Sequence, residues 1–225
     1  MCQFDNATPT SDGQEEWLLD NPQMRTFIGA VNDIRMREGD PQRIVKAIRP
    51  HFETLLADPD WLPESFLQHG ENAGMGGNIG MWLLYRAGDG SLAFSTLVVP
   101  PGEQTPVHDH LAWGLVGLYR GTQDEDVYER IDDGADDERA LLNTIEQNSL
   151  VPGDFYELLP ENDIHRVRTT SAITSVSLHL LGNDNGCIWR HRFFPEEEKV
   201  VAFKSGYVNV PCRNEADGRP QAAGS

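Results

Sequence analysis

From Met81 to about residue 193 the chain is a series of short runs rich in Val, Leu, Phe, Tyr and Trp, each cut off by a turn-forming cluster. The runs fall near 80–86, 92–99, 111–120, 126–131, 149–151, 154–159, 164–169, 172–181 and 187–193. Between them stand Gly88-Asp89-Gly90, Pro100-Pro101-Gly102, Asp132-Asp133-Gly134, Pro152-Gly153-Asp154, Pro160-Glu161-Asn162 and Gly182-Asn183-Asp184. Many short strands on such spacing predict an all-β sandwich or barrel. Residues 135–147 lack the pattern and are expected to form a short helix or a loop insertion. No internal repeat is visible.

The residues before this region follow a different period. Phe27, Ile28, Val31 and Ile34, then Ile44, Val45, Ile48, Phe52, Leu55 and Leu56, recur at helical intervals. Asp40-Pro41 fits a capping residue followed by proline at the first helical position. Two or three short helices are predicted, ending at Asp58-Pro59-Asp60. The expected organisation is a disordered N-terminus (1–14), a helical segment packed on the barrel (15–72), the barrel (73–212) and a flexible tail (213–225).

A net charge of −18, from 36 acids against 18 bases, argues against partners that need a basic surface, namely nucleic acids and anionic membranes. The acids cluster at Asp124–Asp137 and Glu196–Glu198, where they read as solvated loops. No apolar stretch approaches the roughly 18 residues of a membrane span, and residues 1–14 lack the basic-then-apolar pattern of a secretory signal. Cytoplasmic is the default expectation. Three cysteines (Cys2, Cys187, Cys212) without regular spacing do not read as a disulfide framework, and none forms a Cys-x-x-Cys.

The chemistry is carried by histidines. His108 and His110 stand one residue apart. On a strand, such residues share a face, about 6.6 Å apart along the chain, and can close on one metal ion. His165, at the start of a later predicted strand, is the candidate third ligand, because in an antiparallel barrel it can face the same interior. Three imidazoles leave coordination positions open, as catalytic sites do. Ser177 and His179 share a face of another strand with Ser175, where a hydroxyl beside an imidazole is either a hydrogen-bonded relay or a satisfied core pair. His51 and His69 read as surface or packing residues. His191, in Arg190-His191-Arg192, reads as part of a basic cluster.

Taken together, these residues resemble the cupin superfamily, and within it the thiol dioxygenases, meaning cysteine dioxygenase and its bacterial relatives. The family's first motif is a glycine, five residues, His-x-His, three or four residues, a glutamate, six residues and a glycine. Here it reads Gly102, His108-Asp109-His110, Gly114 and Gly121, with only the glutamate missing. Bacterial members also lose that glutamate and carry a Trp-Gly like Trp113-Gly114. Pro152-Gly153-Asp154 with Asp163-Ile164-His165-Arg166-Val167 approximates the second motif, and Asp60-Trp61-Leu62-Pro63 is similar to bacterial members. The resemblance spans about residues 40–195.

It implies an all-β cupin barrel (a double-stranded β-helix, or jelly roll) and one Fe(II) held by His108, His110 and His165. It also implies O2 as co-substrate and oxidation of a small organic thiol to a sulfinate. With neutral ligands only, the iron is expected to keep its full charge to offset an anionic substrate. Ser177 and His179 match the first two members of the family's Ser-x-His-x-Tyr relay, but the third position is Leu181. Gly114 stands where animal enzymes place the cysteine that crosslinks to that tyrosine. The arginine or glutamine that holds the substrate carboxylate is replaced by Met81, beside Trp82. Arg86 and Arg168 are candidate replacements, and Met81 and Trp113 are candidate substrate-lining residues. These departures point away from free cysteine as substrate. They keep two alternatives in play: a metal cupin of another reaction type (carbon–carbon cleavage, isomerisation or elimination) and a non-catalytic metal-binding cupin. Oligomeric state stays open between monomer and homodimer.

Overall fold

The computed structural model of the protein describes residues 13–70, 74–159 and 163–213. Among the described residues, twelve strands form two six-stranded sheets. The first has the order β1 (Glu16–Trp17), β2 (Gly80–Arg86), β3 (Ala93–Val99), β10 (Ser175–Leu181), β5 (Gly114–Arg120), β8 (Phe155–Leu158). The second has the order β12 (Lys199–Phe203), β11 (Arg190–Phe194), β4 (Val107–His108), β9 (Ile164–Thr169), β6 (Gln123–Arg130), β7 (Leu142–Leu150). All pairings are antiparallel. The chain crosses repeatedly between the sheets, and this is the expected all-β architecture, a two-sheet barrel.

Two helices lie outside the first sheet. Helix α1 (Pro22–Arg37) starts where the Asn21 side chain accepts from the Met24 amide, and α2 (Pro41–Ala57) where Asp40 does the same for Arg43. Each side chain satisfies a donor that the helix itself leaves unpaired, and each is followed by proline, whose fixed φ suits the first turn. The expected stop at Asp58-Pro59-Asp60 holds, and a single 3-10 turn, Glu64–Phe66, follows beyond it. The apolar stripe of both helices packs on Phe94, Val98, Leu115, Val176, Leu178 and Leu180, the outward residues of β3, β5 and β10. Gly117 lets α2 approach, since a Cβ there would lie 2.7 Å from the Phe52 ring. No helix among the described residues is long and apolar enough to cross a membrane.

Several expectations change. Of the expected helix or loop, 135–141 form the loop, while residues 142–147 belong to the edge strand β7, which is paired along its length with β6 and runs on into the predicted 149–151 run. Their sequence is polar because nearly every side chain of this edge strand is exposed or only half-buried, so no apolar alternation marks it. The N-terminal segment is not purely helical, since Glu16–Trp17 adds strand β1 to the edge of β2. Of the expected tail, Arg213 is held by Glu16 and the Gly88 carbonyl, and residues 214–225 lie outside the described residues, as do 1–12 of the expected disordered N-terminus. Cys187 and Cys212 are joined in a disulfide. Their separation of 25 residues and the odd cysteine count hid the pairing.

Candidate metal centre

The second sheet brings the three candidate histidines together. Strand β4 lies between β9 and β11, and His108 pairs directly with His165 across the ladder. Only Val107–His108 is strand, and the backbone turns just beyond it at Leu111, with φ of 52°. A left-handed conformation is uncommon for a residue with a side chain. The Asp163 carboxylate holds it by accepting from the amides of His110 (2.9 Å) and Leu111 (2.7 Å). His110 is thus swung back beside His108 by a turn, with Asn183 and Asn185 donating to its carbonyl.

The imidazoles of His108, His110 and His165 are all buried, with ring centroids 4.8–4.9 Å apart. One nitrogen from each lies within 4.8 Å of the others, a spacing that fits three ligands of a single ion. Each ring is oriented through Nδ1. His108 Nδ1 donates to the Pro106 carbonyl (2.8 Å), His110 Nδ1 to Asp163 Oδ1 (2.9 Å) and His165 Nδ1 to Glu125 Oε1 (2.8 Å). A proton held at Nδ1 leaves Nε2 as the basic nitrogen, the form in which imidazole binds a metal. His165 Nε2 is a fully buried polar atom without a hydrogen-bond partner. Such an atom is costly unless something else occupies its lone pair, so the donor set fits a metal ion. Burial, then the nearby Arg190 and the neighbouring imidazoles, push His108 and His110 well below the usual histidine range. They are neutral, as ligands must be.

The surroundings alter the expected charge balance. Two of the three imidazoles are backed by buried carboxylates. Burial opposes ionisation of Glu125, but hydrogen bonds from His165, Tyr156 and Asn148 hold its carboxyl below the usual range. Burial raises Asp163 to about 6, against the pull of the Leu111 and His110 amides, and it is still ionised at neutral pH. A divalent ion here would therefore meet two nearby negative charges, not the uncompensated site expected from neutral ligands. Glu125 was read as part of a solvated acidic cluster. Its signal was the alternation of buried Gln123, Glu125 and Val127 with half-exposed Asp124 and Asp126 along β6.

Opposite the cluster, the first sheet contributes β10. Ser177 and His179 face inward, with Ser177 Oγ 2.9 Å from His179 Nε2 and the His179 ring 6.5 Å from that of His110. Burial, then His110, His165 and Arg190, keep His179 neutral. Ser175, on the same face, belongs to a separate buried group with Thr169 and Gln123. Leu181 stands directly across the ladder from Gly114, so the two positions the resemblance pairs as a crosslink are neighbours in space. A Cβ at Gly114 would lie 2.5 Å from the Leu180 carbonyl oxygen, which leaves no room for a side chain there.

The candidate substrate residues divide. Met81 faces the interior with Leu97, Val99, Val167 and Phe203. Trp113 packs with the cluster beneath the helices, its indole over Gly182. Arg86 is buried but ion-paired to Glu16 (2.6 Å) and Asp184 (2.9 Å). Arg168 lies on the outer face of β9, half-exposed and paired with Asp124 at 3.0 Å. Neither arginine is brought to the histidines.

The cation that is brought there is Arg190, hidden in the Arg-His-Arg run of β11. It is fully buried, stacks at 4.3 Å on Phe203 and donates to the Asp109 carbonyl and to Ser205 Oγ. Phe203 in turn stands 6.2 Å from His108. Among the described residues no carboxylate forms an ion pair with Arg190. Burial lowers it to about 10, so it is charged at neutral pH. Ser205 also reaches Met81 Sδ (3.5 Å), so one hydroxyl separates Arg190 from the position where the resemblance expects a carboxylate-binding residue. The flanking His191 pairs with Asp109 on the opposite side of the His-x-His segment, at 2.5 Å, and is not part of the cluster. His51 and His69 are exposed, as expected.

No family model matches the chain. Among solved structures it is similar to an oxalate oxidase, with 14% identity over 42% of this chain and 43% of that one and a TM-score of 0.33. It is similar to a cupin-2 domain protein of Rhodospirillum rubrum, with 14% identity over 44% and 56% and a TM-score of 0.34. It is also similar to an RmlC-like cupin of Methanocaldococcus jannaschii, with 13% identity over 48% and 82% and a TM-score of 0.35. The match spans less than half the length of the oxalate oxidase chain and just over half of the second protein. Likeness at this level is confined to part of each chain and names no activity.

Proposed function

We propose that the protein is a mononuclear non-haem Fe(II) dioxygenase that oxidises a small organic thiol bearing an acidic group to a sulfinate. The observation that carries this reading is the buried triad His108, His110 and His165, each ring fixed through Nδ1 with its other nitrogen turned to a common centre. Bound there, iron would supply a site for thiolate and for dioxygen, with both oxygen atoms ending on sulfur.

The rest of the work falls to the protein. Asp163 and Glu125 keep the imidazoles oriented and offset the charge of the ion. Arg190 supplies the remaining positive charge, with N–H groups suited to a carboxylate or sulfonate that lies beside Met81. Methionine itself cannot donate, so the charge comes from β11 instead of β2. Ser177 and His179 form a hydrogen-bonded pair able to hold a water or a polar substrate atom near the centre. Leu97, Val99 and Phe203 exclude water from the interior, where a buried cation attracts an anion more strongly. An acid group placed for Arg190 from a different strand favours a thiol other than free cysteine.

The absent relay tyrosine, with Leu181 in its place, is the observation that favours a second reading, a metal cupin of another reaction type. The two separate in one experiment. Protein purified without added metal is assayed for metal content, then loaded with Fe(II) and given a panel of acidic thiols while oxygen uptake and sulfinate are followed. The expected result is one iron per chain and thiol-dependent uptake. Iron-loaded protein that consumes no oxygen with any thiol, yet converts a thiol-free substrate, establishes the second reading instead.

A further inference from the structure

Residues 204–213 follow β12 and run as an irregular strap across the end of the barrel that holds Arg190. The strap carries Ser205, which accepts from Arg190. Beyond it, the Val208 amide donates to the Met81 carbonyl (2.8 Å), and Asn209 bonds both the amide and the carbonyl of Leu83 (2.9 Å each). Gly206 donates to the Gly186 carbonyl, and the Tyr207 hydroxyl donates to Asp184. The far end is stapled to the loop after β10 by Cys187–Cys212, and this ring of chain encloses β11, β12 and Arg190.

The two sulfurs are not equivalent. Cys187 Sγ lies 3.7 Å from Nη1 of Arg86, a buried guanidinium that is charged and held in place by Glu16 and Asp184. Both cysteines are half-buried, but Cys212 lies between the exposed residues Pro211 and Arg213, whereas Cys187 is flanked by buried Gly186 and half-buried Ile188. In thiol–disulfide exchange the preferred leaving group is the sulfur whose thiolate is better stabilised, and the attacked sulfur must be reachable. Both criteria give the same direction, attack at Cys212 with departure of Cys187.

We propose that Cys187–Cys212 is an exchangeable disulfide, a thiol-reactive site separate from the histidine cluster, which glutathione-like thiols open to release the 204–213 strap. A reductant thiolate attacks Cys212 Sγ. The new sulfur–sulfur bond forms as the Cys187–Cys212 bond breaks, and the electron pair leaves on Cys187 beside Arg86. A second thiolate then attacks the reductant's sulfur in the mixed disulfide and frees Cys212. Two reductant thiols become one disulfide, their two electrons reside on the two cysteines, and the protons they release return to those cysteines as the thiolates are protonated. Release of the strap removes Ser205 from Arg190 and uncovers Met81. Only the bearing of that release on substrate binding rests on the proposed anion-binding role of Arg190.

The test uses the full chain, free of metal and without denaturant, in millimolar reduced glutathione. Differential alkylation and peptide mass spectrometry distinguish Cys187 and Cys212 from Cys2. The expected result is complete reduction of the pair within about an hour and a transient glutathione adduct on Cys212. Tryptic cleavage after Lys204 and Arg213 should become at least about tenfold faster, as expected for local opening. A Cys187→Ser variant given oxidised glutathione should form the same adduct on Cys212, its thiolate displacing one reduced glutathione, and keep it because no second cysteine can expel it. A disulfide that stays closed until the protein is denatured, an adduct on Cys187, or reduction that leaves cleavage after Lys204 unchanged would overturn the proposal. No metal or turnover enters this assay, so its failure leaves the iron reading standing. Failure of oxygen uptake in turn leaves the exchange site standing.

Discussion

The two sheets of the barrel are built from the same number of strands but follow different burial rules. In the first sheet, β3 and β10 are buried along their whole length, because the barrel interior covers one face and α1 and α2 the other. In the second, β9 alternates, with His165, Val167 and Thr169 buried and Arg168 exposed, because its outer face meets water. The ligands all come from the second sheet and the turn that follows β4. The helix-backed sheet carries most of the hydrophobic core, and the wet-backed sheet carries the metal-directed groups. Carboxylates such as Glu125 and Asp163 can be placed behind the ligands there without a helix to desolvate them further.

This contrast can be broken at several points, in descending order of effect. His165→Ala removes a ligand from the second sheet. It should abolish stoichiometric iron retention, measured by metal analysis after dialysis, while the far-UV spectrum is kept. Retained iron at one per chain would exclude His165 as a ligand. Phe52→Ala, under the first sheet, empties the space among Phe27, Phe94 and Phe155. It should cost about 3–5 kcal/mol of stability in urea unfolding, with metal stoichiometry unchanged in the fraction that stays folded. A cost below about 1 kcal/mol would show that the helices are not the support they look to be.

Glu125→Gln keeps the shape of the residue but removes the charge behind His165. Iron affinity should fall about 10–100-fold, with the melting temperature nearly unchanged. Equal affinity in a competition titration would reduce Glu125 to a packing residue. The smallest effect is expected on the wet face. Arg168→Ala removes an exposed pair with Asp124, and such pairs are worth about 0–1 kcal/mol. Stability, metal binding and any thiol-dependent uptake should all stay near those of the unaltered protein. A loss of uptake alone would restore Arg168 as a substrate residue.

Much of the fold was legible before the structure. Helical period and the Asp40 cap followed by proline are local, and they survive into α1 and α2. The turn clusters marked most of the strands. Most of strand β7 was missed because an exposed edge strand has no need of apolar alternation, and β12 because it follows a charged run. Within the site, the His-x-His spacing and His165 were readable, since metal ligation demands particular residue types. Arg190 and Glu125 were passed over because each lies in a run of like charge. The sequence shows such a run but not which member points inward.

The sequence alone determined the two periods, the all-β barrel, and the three histidines as a candidate ligand set, because these rest on residue type and short-range spacing. Tertiary structure alone decided that carboxylates back two of the histidines and that Arg86 is consumed by Glu16 and Asp184. It alone placed Arg190 beside the centre and joined Cys187 to Cys212. Each of these depends on which distant strands become neighbours and which face a residue takes. Charge and sulfur chemistry act over a few ångströms, and only the folded chain sets those distances.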